Sequence, residues 1–220
     1  PGTLACAQCH VEYYLEPETK EVIVPWKIGL DTNSMLDYYD DIEFQDWVHP
    51  TTGANMLKAQ HPEFETFQGS THYNLGMSCN DCHMPAIVGD EGLQSHHWTS
   101  PLLSEEGLKE SCFSCHGDEP KDRIADVEAI QKGVYDKTNE VSDFLVDFVN
   151  RLAKAVEDGD IKDEDLAKLR DIHRKAQFKW DFVFVENSEG FHNSVAAYGN
   201  LNSAKKLIEE GIEILEGYGK

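Results

Sequence analysis

The sequence lacks any apolar run long enough to cross a bilayer, and basic residues are scarce in it. Its first residues, PGTLACAQCH, contain neither the basic nor the apolar stretch of a secretory signal, so we expect that an export signal, if the protein has one, precedes residue 1. Only 19 Lys and Arg stand against 41 Asp and Glu, which gives a net charge of −22. Because such a charge repels a phosphate backbone, we expect no nucleic-acid partner.

No cysteine lies outside one repeated pattern. All six occur in three copies of C-x-x-C-H, namely Cys6, Cys9 and His10; Cys79, Cys82 and His83; and Cys112, Cys115 and His116. This spacing is typical of covalent haem c, in which two thiols bond to the vinyl groups of the porphyrin and the adjacent histidine ligates the iron. Three copies that use every cysteine predict three covalently attached haems.

Two other uses of cysteine pairs fit less well. A tetrahedral zinc site takes four thiolates from two C-x-x-C motifs. Three such motifs would therefore leave one motif unpaired. The separations between the motifs also exceed those of zinc ribbons, and zinc does not require a histidine after each pair. A C-x-x-C disulfide closes a very small loop and is usually redox-active or ligating. Haem attachment is therefore the favoured interpretation.

Three irons have six axial positions, and the motif histidines fill three of them. The candidates for the remaining positions are His49, His61, His72, His96, His97, His173 and His192. Any one of them could instead be an ordinary surface or core histidine. Two histidine ligands favour electron transfer, whereas an open iron position permits chemistry on a bound molecule. Spacing alone does not pair the ligands.

The hydrophobic pattern predicts a mainly α fold in two parts. Residues 1–118 carry every cysteine and most of the prolines, which predicts a haem-binding region of short helices and loops. Residues 119–220 form a long α-helical region, with apolar stripes from Ile124 to Leu152 and from Leu166 to Val183, and a third helix from near Asn202 to Leu215. The stripes could serve packing within the chain or an oligomer interface.

Six strings, taken in order, resemble the C-terminal part of pentahaem cytochrome c nitrite reductase, a periplasmic ammonia-forming family. They are CAQCHVEYY at 6–14, MLKAQHPEFET at 56–66, CNDCHMP at 79–85, HHWTSPL at 96–102, CFSCH at 112–116 and GFHN at 190–193. The resemblance covers essentially the whole chain, and H-V-E-Y and L-K-A-Q-H-P-E are its most specific pieces.

The resemblance implies a role for each motif. The motifs that end in His10, His83 and His116 match the third, fourth and fifth haems of the family, all of which relay electrons with two histidine ligands. By the same match, His72 would be the distal ligand of the haem at His116. His192 would be the distal ligand of the haem at His83.

The resemblance implies different roles for the other histidines. The distal partner of His10 belongs to the N-terminal part of the family, so no histidine of this chain is assigned to it. His96 would ligate a haem that is not attached to these residues, and the adjacent His97 is the alternative ligand. His49 and His173 have no counterpart among the family's ligands, and we expect them to be structural.

The resemblance also implies a calcium site beside a catalytic pocket. Glu12 and Gln60 would supply side-chain oxygens and Tyr13 and Lys58 backbone carbonyls, which are the hard oxygen ligands that calcium prefers. Tyr13 and His61 would be the catalytic residues of the pocket. His61 would attract nitrite and deliver protons, and Tyr13 would donate a hydrogen bond.

The catalytic haem of the family is attached by an N-terminal C-x-x-C motif, usually followed by lysine, and these residues contain no fourth motif. We therefore expect this chain to supply three of five haems, the calcium site and two pocket residues to a six-electron reductase of nitrite to ammonium. The implied partners are nitrite, an N-terminal part that carries the catalytic haem, a second copy bound through the C-terminal helices, and a membrane-bound quinol-oxidising multihaem cytochrome as electron donor. The alternative is a multihaem electron-transfer cytochrome without a catalytic site of its own.

Overall fold

Helices dominate the computed structural model, which describes residues 2–86, 93–117, 119–159 and 161–218. The helices of these residues are α1 Gly2–Cys6, α2 Thr32–Asp41, α3 Glu63–Phe67, α4 Thr71–Asn74, α5 Cys79–His83, α6 Glu105–Leu108, α7 Ser114–His116, α8 Pro120–Asp158, α9 Asp163–Phe184 and α10 Ser194–Glu216, with a 3-10 turn at Pro101–Leu103 and a π turn at Lys109–Phe113. The predicted mainly α fold with long C-terminal helices is confirmed. None of the described helices is both long and apolar enough to span a bilayer.

Strands within the described residues are confined to two short antiparallel pairs. Strand β1, Tyr14–Leu15, pairs with β2, Val22–Ile23, and strand β3, Trp47–Val48, pairs with β4, Asn55–Met56. These pairs order the loops between the short helices. They match the absence of sustained strand-like alternation in the sequence.

The three long helices begin and end at recognisable residues. Helix α8 has a proline in its first turn and ends at Gly159, whose φ of 74° suits the left-handed C-terminal cap. Helix α10 begins at Ser194 because the Asn193 side chain accepts a hydrogen bond from Ala196 N. The sequence predicted this start near Asn202, because glycine and asparagine weaken the apolar pattern before that point. Ala197 and Leu201 nevertheless pack into the core there.

The largest apolar cluster joins α8, α9 and α10. Its buried members are Val134, Val141, Leu145, Phe148, Leu152, Leu169, Ile172, Ala176, Val183, Ala197, Leu201, Ala204, Ile208 and Leu215. Gly211 permits this close packing, because a Cβ there would lie 2.5 Å from the Phe148 ring. Packing within the chain therefore accounts for the first predicted stripe from Val134 onward and for the second stripe.

A second cluster connects α9 to the N-terminal residues. It contains Tyr14, Met35, Leu36, Tyr39, Leu57, Ala59, Phe178 and Phe182. Helix α9 thus contributes to both clusters. The division into residues 1–118 and 119–220 stays a prediction, although α8 begins at Pro120.

Helix α9 also holds the segment that carries several candidate site residues. The Arg174 guanidinium donates to Asn55 O (3.1 Å), to Phe44 O (2.9 Å) and to the Asp40 carboxylate (3.0 Å). Further along α9, the Asp181 carboxylate accepts a hydrogen bond of 2.9 Å from Ala59 N. These charge-assisted bonds fix residues 55–59 on α9, immediately before Gln60 and His61.

Candidate haem and calcium sites

The three C-x-x-C-H motifs lie beside one another in chain order. Cys6 of the first motif is near enough to Cys79 of the second to raise the pKa of the Cys79 thiol, after the larger effect of burial. Cys112 of the third motif acts in the same way on Cys82. The Ser111 hydroxyl also donates to Cys82 O at 2.9 Å, which ties the third motif to the second. Haems attached here would form a continuous row.

The second motif shows why C-x-x-C suits one porphyrin. Residues three apart lie on one face of a helix, so α5 directs Cys79 and Cys82 to the same side. The Asp81 carboxylate accepts hydrogen bonds from the Ser78 backbone N and hydroxyl, both at 2.7 Å. This capping fixes the start of α5, which is too short to be stable by itself.

All six cysteines lie within the described residues, and no disulfide joins any two of them. Burial raises the pKa of Cys79 and Cys112 above the ordinary value, and it raises the pKa of Cys82 to about 11.

Two pairs of histidine rings have the geometry of axial ligands. The ring centroids of His72 and His116 are 6.2 Å apart with planes crossing at 71°. Those of His83 and His192 are also 6.2 Å apart, crossing at 78°. Two metal–nitrogen bonds of about 2 Å, together with two imidazole radii, add to about 6 Å. These residues fit a haem iron between each pair, and the ligand assignments stay predictions that this spacing supports.

Hydrogen bonds orient the rings of the His83–His192 pair. His83 Nδ1 lies 3.0 Å from Thr99 O, and His192 Nδ1 lies 2.7 Å from Glu186 Oε1. Burial opposes ionisation of Glu186, but hydrogen bonds from His192 and Ser188 lower the pKa of this carboxyl below its ordinary value. The sequence carries no signal that singles out Glu186, because it is one of 41 Asp and Glu residues.

A third pair joins two residues that the resemblance had kept apart. The rings of His10 and His61 are 6.3 Å apart and cross at 67°, which is close to the geometry of the other two pairs. His10 Nδ1 faces the buried Glu63 carboxylate at 3.3 Å. The resemblance gave His61 a role in the pocket and assigned His10 no partner in this chain.

The remaining histidines are arranged differently. His96 and His97 are exposed, and the ring nearest to His96 among the described residues is that of Trp98, at 6.4 Å. The structure brings no other histidine to either of them within the described ranges. His49 and His173 lie together, with ring centroids 4.8 Å apart, and Thr52 Oγ1 is 3.1 Å from His173 Nδ1.

Glu12, the predicted calcium ligand, is fully buried. Its carboxylate accepts hydrogen bonds from the Tyr39 hydroxyl (3.0 Å) and from Gln60 N (2.6 Å), which brings the loop after His10 against residues 58–61. Burial, followed by the nearby carboxylates of Glu65 and Asp46, raises the pKa of Glu12 to about 8. A bound divalent cation would favour the ionised form.

Glu65 adds a second buried carboxylate to this region. Its Oε1 accepts hydrogen bonds from Glu12 N (2.9 Å) and from Trp26 Nε1 (2.7 Å), whereas its buried Oε2 has no hydrogen-bond partner among the residues that the structure describes. Burial raises the pKa of Glu65 to about 7. No three His, Cys, Asp or Glu side chains of the described residues converge as a metal site. A cation here would therefore depend largely on carbonyl and amide oxygens, as predicted for Tyr13, Lys58 and Gln60.

A family model and several curated relatives match the chain. The model described as cytochrome c552 matches residues 2–215. The chain is 36% identical over 233 residues to "Cytochrome c nitrite reductase subunit NrfA" of Nitratidesulfovibrio vulgaris, covering 96% of this chain and 44% of that protein. It is 37% identical over 211 residues to cytochrome c-552 of Aliarcobacter butzleri, covering 92% of this chain and 42% of the relative. The chain thus spans less than half the length of these relatives.

Solved structures give the same picture. Cytochrome c nitrite reductase from Desulfovibrio desulfuricans, described with two calcium sites in its catalytic subunit, superposes with a TM-score of 0.87 at 31% identity. The match covers 98% of this chain and 48% of that one. The outer cell wall cytochrome OcwA matches with a TM-score of 0.51 at 20% identity, over 88% of this chain and 37% of its own, which indicates a shared fold alone.

Proposed function

This chain belongs to the cytochrome c552 family, and from that premise we propose that it is part of a periplasmic cytochrome c nitrite reductase. The whole enzyme would reduce nitrite to ammonium with six electrons. The observation that carries the proposal is the row of three motifs, two of which have crossing histidine rings 6.2 Å apart at their irons' proposed positions. Such a row suits an electron relay.

The relay is held by residues of this chain. The cysteines of the three motifs attach haem c, and His10, His83 and His116 ligate the irons from one side. His72 and His192 complete two of the iron sites. When bound, the haems supply one-electron transfer, and the protein contributes their order, their spacing and the orientation of the imidazole rings.

The catalytic pocket would lie beside Tyr13 and His61. A chain with a net charge of −22 repels nitrite, so a local positive group is needed where the anion binds. His61 supplies that charge and a proton when protonated, and the Tyr13 hydroxyl donates a hydrogen bond. Calcium, held by Glu12 and Gln60 and by the carbonyls of Tyr13 and Lys58, would fix both residues and add positive potential.

The proposed enzyme needs partners in addition to this chain. The catalytic haem would come from an N-terminal part of the same enzyme, and His96 would ligate another of its haems. A membrane-bound quinol-oxidising multihaem cytochrome would donate electrons. A homodimer through the C-terminal helices would cover exposed apolar side chains such as Tyr135, Val146 and Phe184.

One observation favours a second candidate function, electron transfer without a catalytic site. His61 lies at the distance from His10 that a distal ligand needs. If His61 ligates the iron at His10, all three haems have two histidine ligands and no open position. The chain would then be a multihaem electron-transfer cytochrome.

Replacement of His61 by alanine separates the two candidates. The chain would be matured with haem c together with the proposed N-terminal part, and supplied with a strong reductant and nitrite. The pocket role predicts that ammonium production falls while the haems of the relay stay low-spin. Ligation by His61 predicts instead that one relay haem becomes high-spin. If the unaltered preparation makes no ammonium, the reductase proposal is wrong.

A further inference from the structure

We propose that Glu186 is a positioning residue that lowers the reduction potential of the haem attached at Cys79 and Cys82. It would do so by accepting a hydrogen bond from the distal ligand, His192. This role rests on the proposed assignment of His83 and His192 as the two ligands of that haem.

The contact between Glu186 and His192 is short and shielded from water. Glu186 is 3% exposed, and its Oε1 lies 2.7 Å from His192 Nδ1. This separation is at the short end of the range for charge-assisted hydrogen bonds. Because Nδ1 is used in this way, Nε2 is left as the nitrogen of His192 that can bind iron.

The fold holds the carboxylate in one orientation. Besides His192, it accepts hydrogen bonds from the Ser188 hydroxyl (2.6 Å), Ser188 N (3.2 Å) and Gly190 N (3.3 Å). The Ser188 hydroxyl in turn accepts from His192 N at 2.8 Å. The turn that directs these donors inward needs Gly190, whose φ is 87° and whose Cβ would lie 2.6 Å from Val134. Glu186 is therefore a built-in acceptor for the His192 ring.

The expected effect follows from the charge of the acceptor. A carboxylate that accepts a hydrogen bond from Nδ1–H of an imidazole shifts electron density into the ring. The other ring nitrogen thereby becomes a stronger electron donor. A stronger donor stabilises ferric iron relative to ferrous iron and so lowers the potential. The bond acts through polarisation and requires no transfer of the proton.

The other candidate ligands have weaker acceptors or none. His83 Nδ1 faces the neutral carbonyl of Thr99 at 3.0 Å, and His10 faces Glu63 at the longer distance of 3.3 Å. Within the described ranges, no hydrogen-bond partner faces the ring nitrogens of His72 or His116. Glu186 therefore distinguishes the middle haem of the row from the haem at His116. An electron would be less stable on the middle haem than on the same haem without this carboxylate.

The test is a potentiometric titration of the haem-loaded protein, followed by absorption and by EPR of the low-spin ferric signals. Glu186→Gln keeps the shape of the side chain and removes its charge, and Glu189→Gln removes the same charge from an exposed neighbour three residues along the chain. We expect E186Q to raise the potential of one haem, changing its ferrous-to-ferric ratio at a fixed electrode potential about tenfold, or about 59 mV for a one-electron couple. The remaining haems and the E189Q variant should titrate like the unaltered protein.

The outcomes separate this inference from the proposed function. If mass and spectra show no covalent low-spin haems in the unaltered protein, both are wrong. If the low-spin haems are present and E186Q titrates like E189Q, only the role of Glu186 is wrong. Should E186Q fail to fold, Ser188→Ala replaces it in the test. S188A keeps the carboxylate but removes a competing donor, so the same potential should fall, and a rise or no change would refute the role.

Discussion

The buried histidine of α9 should make the stability of this protein depend on pH. His173 is 2% exposed, and burial, followed by the nearby His49, lowers the pKa of His173 from 6.5 to about 4. The unfolded chain therefore binds a proton at His173 below about pH 6.5, where the folded chain does not. Protonation thus favours unfolding, and the free energy of unfolding falls as the pH drops from 6.5 towards 4.

The size of the effect follows from the same values. One pKa unit is worth about 1.36 kcal/mol, so His173 should cost about 2 kcal/mol of stability between about pH 7.5 and about pH 5. His173→Asn removes the titration and keeps a polar atom that can bond to Thr52 Oγ1. At about pH 7.5 the variant should be less stable by about 1–3 kcal/mol, because the ring that packs near Phe148 is lost.

Urea unfolding of the haem-loaded protein at both pH values measures this difference. The stability gap between the unaltered protein and H173N should shrink by about 2 kcal/mol at the lower pH. His97→Asn, at an exposed position, is the control and should leave the pH dependence unchanged. Parallel curves for the unaltered protein and H173N would refute the reasoning, since His173 would then titrate alike in the folded and unfolded chains.

Three further predictions concern the sites and the turn after α9. Replacement of His72 or His192 by alanine should leave three haems attached, because the thioether bonds are untouched. The absorption spectrum should show that one haem changes from low-spin to high-spin. An unchanged spectrum would reject that residue as a ligand. In thermal unfolding, calcium at about 100 times its Kd should stabilise the unaltered protein by about 2.7 kcal/mol and the Glu12→Gln variant far less. Equal stabilisation of the two proteins would show that Glu12 is not a calcium ligand. Gly190→Ala should destabilise the protein by about 1–3 kcal/mol in urea unfolding, because its φ of 87° and the adjacent α8 side chain both oppose a Cβ. Gly159→Ala should cost less stability, because Gly159 has a φ of 74° but no atom where its Cβ would lie. Equal costs would contradict the steric part of this account.

Much of the candidate site was visible in the sequence, but its supporting acids were not. The pairs His72 with His116 and His83 with His192, which the resemblance implied, have ring spacings that suit shared irons. Glu63, Glu65 and Glu186 look like ordinary surface acids in so acidic a chain. They are buried beside histidines or other carboxylates only because distant segments of the chain pack together.

The sequence by itself determined the helical class and predicted the haem attachment sites. Both depend on residues close together in the chain, since C-x-x-C-H spans one helical turn and an apolar stripe repeats every three or four residues. Tertiary structure alone decided that His61 lies beside His10, that α9 anchors residues 55–59, and that Glu186 meets His192 in a shielded turn. The approach and burial of such groups depend on packing, which sets both the distance between them and the strength of their electrostatic interaction.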